Sequence, residues 1–225
     1  MTTALISSPR TIRDLIPRAK GENAKAIAIA TDIALVVGFA LFTAAMAQFE
    51  WKLSFTPVPI TGQTLAVLLS GATLGLRLGT GSQILYILMG LVFPFYAGGA
   101  KGYTENEMVG KVFVQGTAGT FGYLVGFVFA AALIGFLSER KNDRNFVSAI
   151  GTFAIGSIII YSFGAFWLAR VYEIPVIGEI GKDNALAWGV YPYIIGDVLK
   201  IVLAGIILPG SWMLANKMRK QEADK

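Results

Sequence analysis

The apolar residues fall into six runs, roughly 26–48, 60–76, 80–95, 116–138, 146–169 and 190–215, parted by short polar stretches. A helix needs roughly 17 to 25 apolar residues to cross a ~30 Å hydrocarbon core, and every run lies near that range. The third is short and ends at Pro94. The pattern predicts an all-α integral membrane protein with six transmembrane helices over 26–216. A basic segment, 1–25, precedes them, and a tail, 217–225, follows. The first run is too long for a signal-peptide core, so no cleaved signal is expected.

Composition removes the soluble alternative. The chain is 55% hydrophobic and only 15% charged, too little charge to cover a soluble domain of 225 residues. It has no Cys and no His, which excludes disulfides, thiolate nucleophiles, His-ligated metals and His general bases. No metal, cofactor or catalytic residue is expected. There is no Walker loop, so the chain itself does not bind ATP in that way. It has no metalloprotease, nucleophile-elbow or paired intramembrane aspartate pattern. No inverted repeat of broken helices points to a secondary carrier.

The formal charge of +5 changes the picture only through its placement. Arg10, Arg13, Arg18, Lys20, Lys25, Arg77, Arg140, Lys141, Arg144, Lys217, Arg219, Lys220 and Lys225 share one side of the predicted spans. Lys52, Lys101, Lys111, Arg170 and Lys182 take the other. Positive residues gather on the cytoplasmic side, so both termini are predicted to be cytoplasmic. An even number of spans agrees. The bias reflects topology, and no nucleic-acid partner is expected.

Cytoplasmic turns, such as one expected at Gly79-Thr80-Gly81, are short; the longer connections then lie outside, where a binding site is expected. The first, Phe49 to Pro59, alternates as a short strand pair would. The second carries Gly98 and Gly99, where backbone can approach a ligand closely. The third runs from Val171 to Gly189.

Four-residue spacing of small residues marks three helices: Ala26, Ala30, Ala34 and Gly38; Gly71, Gly75 and Gly79; Ala118, Gly122, Gly126 and Ala130. Such ridges let helix backbones approach one another. The second and third ridges are expected to pack inside the protein. The first, joined by Ala40, Ala44, Ala45 and Ala47, fits either internal packing or a sliding contact with a partner subunit. Asp32 is expected to be solvated or to cap, within reach of head groups or Lys25. Gln63 and Tyr123 start helices on the outer side and are candidate polar contacts.

The most informative element is Tyr191-Pro192-Tyr193-Ile194-Ile195-Gly196-Asp197-Val198-Leu199-Lys200 in the last run. Asp197 and Lys200 are three apart and share a helix face. Charges within an apolar span cost a few kcal/mol, so they normally face a cavity or each other. The pair is either a structural ion pair or an anion partner and a hydrogen-bond acceptor for a small ligand.

The stretch Pro57 to Leu69 closely resembles the BioY family, the biotin-binding S components of energy-coupling factor (ECF) transporters. The resemblance continues through Gly75-Leu76-Arg77-Leu78-Gly79, Leu85 to Gly90, Pro94 to Gly99, Gly122 to Phe127, and the Gly-Asp-x-x-Lys element at 196–200. It covers most of residues 26–216. The resemblance implies a biotin-binding subunit of a vitamin importer in the cell membrane, with Asp197, Lys200, Tyr123 and Gln63 at the ligand and Gly98 and Gly99 as its lid. It also implies partners: a membrane scaffold subunit docking on Ala30, Ala34, Ala40 and Ala44, and a pair of ABC-type ATPases. The chain departs from the family at Phe121, where glycine is usual, adding bulk beside the expected pocket. Rival readings are a subunit for another small vitamin, a membrane enzyme using the Asp197–Lys200 pair, and a structural membrane subunit.

Overall fold

The computed structural model describes residues 9–16, 21–101, 119–179 and 182–223. Its helices are α1 (Ala24–Gln48), α2 (Gln63–Val92), α3 (Phe121–Glu139), α4 (Phe146–Tyr172), the short α5 (Ala185–Gly189) and α6 (Ile194–Ala223). Two short strands, β1 (Glu50–Trp51) and β2 (Ile60–Thr61), pair antiparallel with Glu50 opposite Thr61. This is the ribbon expected in the first outer loop. Among the described residues, five helical segments are long and apolar enough to cross a membrane: Ala24–Gln48, Gln63–Gly99, Phe121–Glu139, Phe146–Tyr172 and Ala185–Lys217.

The second and third predicted helices are the two limbs of α2. At Gly75 the backbone leaves the helical region, with φ 82° and ψ −176°. The chain turns back there. Gln63 meets Tyr86 at 2.6 Å and Ser70 meets Gln83 at 2.9 Å, contacts that only antiparallel limbs allow. The turn therefore falls at Gly75, and not at Gly79-Thr80-Gly81, which is helical. Gly79 instead lets the limbs touch: a Cβ there would stand 2.8 Å from the Gly71 Cα. Gln83, fully buried, joins the limbs to α1 through Ser70 and Thr43. Bonds of this kind between membrane helices contribute about 0.6 kcal/mol each.

The turn is fastened to α3. Glu139 accepts from the Leu76 N–H at 2.8 Å, and Gly135 lies so near Gly75 that a Cβ would be 2.4 Å from its carbonyl carbon. Gly71 packs against the Ala131 backbone, and Gly126 against Ile160 of α4. Both interior ridges therefore serve packing, as their spacing suggested; Ala118 lies outside the described residues.

Helix α1 packs chiefly on α2. Ala40 and Ala44 are buried in that contact, whereas Ala26, Ala30, Ala34 and Gly38 are exposed. The set expected to face a partner is thus split: Ala40 and Ala44 belong to the chain's own core, and the open ridge is the N-terminal half. Residues 9–16 form a strap over the helix ends. Thr11 is buried beside Gly75, and Arg13 binds Asp32 through Nε at 2.7 Å and Nη2 at 2.5 Å. Arg13, rather than Lys25, is therefore the partner of Asp32. Arg144 donates to the carbonyls of Pro9 and Arg10 and lies over the Trp212 ring. Beside it, burial pushes the Asp143 carboxyl above its ordinary range, against the pull of the Trp212 N–H and the Arg144 guanidinium.

Candidate functional site

Above the short first limb of α2 the helices part around a cavity of about 390 Å³. The β1–β2 ribbon, the loop after α2, α5 and the first turns of α3 and α6 enclose it. Apolar walls come from Leu53, Val58, Leu124, Phe127 and Ile160. A concave, mostly apolar space with a few placed polar groups is the usual form of a small-ligand site.

Asp197 and Lys200 stand in this cavity, one turn apart on α6. Lys200 Nζ is 2.7 Å from Asp197 Oδ1 and donates to Thr64 Oγ1 at 3.0 Å. Thr64 in turn donates to Asp197 Oδ1 at 3.1 Å. Tyr161 of α4 donates to the other oxygen, Oδ2, at 2.8 Å. Asp197 is only 4% exposed, so each of these bonds offsets desolvation that a lone carboxylate would suffer. The described residues engage two of the three Lys200 donors, which leaves one for a ligand. Asp197 keeps acceptor capacity of its own, because a carboxylate offers about four lone-pair sites.

The other expected residues come to the same place. Tyr123 lines the wall, and its hydroxyl donates to the Gly189 carbonyl at 2.8 Å. The side chain fits only because Gly164 and Gly189 lack side chains: an added Cβ would stand 2.2 Å from the ring at Gly164 and 2.0 Å from the hydroxyl oxygen at Gly189. Gln63 also lines the cavity, with both ends of its amide already engaged. Its Nε2 donates to Tyr86, and its Oε1 accepts from Thr61 at 3.0 Å. Gly98 faces the cavity, whereas a Cβ on Gly99 would meet nothing within 4 Å. Gly102 and Tyr103 lie outside the described residues, as do Glu105 and Glu107 of the same connection. Phe121 does not line the cavity; its ring packs edge-on against Trp167, 5.6 Å between centroids. Its bulk is taken up between α3 and α4.

Residue-by-residue reading missed Thr64, Tyr161 and Tyr193. Thr64 and Tyr161 reach Asp197 from positions 133 and 36 residues away in sequence, so no local spacing marks them. Tyr193 donates to the Val58 carbonyl at 2.5 Å, and Thr56 donates to the Trp188 carbonyl at 2.6 Å. These two bonds lace the β1–β2 connection to α5 and to the turn just before α6. The Tyr191-Pro192-Tyr193 turn was the available signal.

The BioY family model matches residues 18–217. A biotin transporter BioY of Rhizobium etli is 32% identical over 185 residues, covering 78% of this chain and 90% of that one. A biotin transporter BioY of Thermotoga maritima is 32% identical over 190 residues, covering 82% and 95%. The fold resembles a crystal structure of the S-component for biotin from an ECF-type ABC transporter. The TM-score is 0.65 and the identity 22%, over 90% of this chain and 95% of that one. The Asp197–Lys200 cavity thus sits within the matched residues 18–217, and the chain belongs to the BioY family.

Proposed function

We propose that this chain is the biotin-binding S component of an ECF-type importer, embedded in the cell membrane by six passes with both termini cytoplasmic. Charge placement and the two-limbed α2 support that topology. The observation that carries the reading is the Asp197–Lys200–Thr64–Tyr161 network at a cavity of suitable size, in a chain whose relatives are named biotin transporters. Asp197 accepts from a ureido N–H of biotin, and the remaining Lys200 donor takes a ligand oxygen. Tyr123 and Gln63 shape the walls, and the Gly98-Gly99 turn acts as the lid. Closure excludes water and strengthens the polar contacts inside.

Energy comes from partners, a scaffold subunit and a pair of ABC-type ATPases, because the sequence has no Walker loop. Ala30 and Ala34, exposed on α1, form the docking ridge. Calorimetry on the purified chain tests the assignment. Stoichiometric biotin binding, resistant to competition by thiamine and riboflavin, is expected without ATP hydrolysis. A folded sample with no detectable binding at micromolar biotin overturns it.

A further inference from the structure

We propose that Glu50 is a positioning residue that latches the mouth of the cavity through the backbone at Gly98, and so sets the rate of ligand entry and release. This rests on the reading of the cavity as the biotin site. The contact joins two segments far apart in sequence. Gly98 has φ +66°, and a Cβ there would stand 2.6 Å from Glu50 Oε1 and 2.9 Å from Oε2. The carboxylate therefore occupies the space over this glycine that any other residue would fill. Both residues line the cavity.

The ribbon presents Glu50 for this role. Pairing of Glu50 with Thr61 holds it directly above the start of α2. Its side chain is 16% exposed, whereas that of Lys52, bound to it at 3.1 Å, is 76% exposed. The lysine is a solvated counter-ion, and the carboxylate is the half-buried member. A second tie runs in parallel: Gln48 Nε2 donates to the Tyr96 carbonyl at 3.2 Å. The turn itself is held by bonds from Gly99 N–H to Tyr96 O and from Tyr96 N–H to Ala100 O. The segment 96–100 is thus a small turn closed on itself, with Glu50 against Gly98. The contact consists only of chain atoms and so needs no ligand atom to form. A ligand must displace it on the way in and on the way out.

The test uses Glu50→Ala in the full chain, with two readouts. Labelled-biotin kinetics are expected to show association and release both faster by about tenfold, their ratio moving less than either rate. Hydrogen exchange at residues 97–100, measured without biotin, is expected to accelerate by a similar factor. In the Glu50→Ala background, Gly98→Ala should perturb the rates less than it does alone, since the obstructing carboxylate is gone. Unchanged exchange overturns the latch, whatever the chain binds. So do unchanged rates, a change in release alone, or strictly additive effects of the two substitutions. Absence of biotin binding by the parent chain overturns the biotin reading instead, and the exchange measurement still decides the latch.

Discussion

Lys200 carries its charge where water competes poorly, with a side chain 17% exposed and held by Asp197 and Thr64. A charge-assisted hydrogen bond in such a place is worth about 1.5–3 kcal/mol net. Lys200→Ala should therefore weaken biotin binding by about one to two decades, at about 1.4 kcal/mol per decade. Lys182, 72% exposed and paired with an equally exposed Glu179, is the control, because a solvated ion pair contributes little. Tyr161→Phe leaves Asp197 Oδ2 without a described partner, at a cost of about 1–3 kcal/mol, and should weaken binding by about tenfold. Titrations and melting curves on the same samples check both variants. A dissociation constant unmoved in folded Lys200→Ala means that the pair is structural. Asp197 and Lys200 were legible because charges in an apolar run demand an explanation. Tyr161 was not, since a tyrosine in a lipid-spanning run reads as wall until the carboxylate it reaches is known.

At the scale of elements, α2 separates what a pattern can fix from what it cannot. The two apolar runs correctly marked two limbs, but the small residues Gly79-Thr80-Gly81 between them drew the expected turn too far along the chain. Geometry chose Gly75, whose φ of 82° and ψ of −176° belong to a region essentially restricted to glycine. Gly75→Ala should lower stability by about 1–3 kcal/mol, and its Cβ would also meet Glu139 Oε1 at 2.6 Å. Gly81→Ala, in the turn the sequence suggested, should be neutral or slightly stabilising. That position is helical and open, and alanine is favoured over glycine there by up to about 1 kcal/mol. Thermal unfolding in detergent of the two variants side by side checks the position of the turn, and the reverse ranking would move it back to 79–81. The small-residue ridge of α1 was legible as a ridge. Its division into a buried half and an open half was not, because only the packing of α2 decides where α1 stops being covered.

Across the whole molecule, the ligand cavity and the open face of α1 are separate. Along the most apolar 18 residues of α1, 11% are buried, against 56% for α3. Helix α1 is thus the least enclosed span, and Ala30 and Ala34 lie on its uncovered half. Ala30→Trp or Ala34→Trp should spare biotin binding by the purified chain and impair ATP-driven uptake when the partner subunits are present. Normal assembly and uptake in both variants would remove the docking assignment. The doubling back at Gly75 has a further consequence, for the birth of the protein. Residues 63–74 rise only about 18 Å as a helix, at about 1.5 Å per residue, well short of a ~30 Å hydrocarbon core. Such a piece is too short to partition into lipid alone as it leaves the ribosome. It is expected to enter the bilayer together with residues 76–92, as a hairpin.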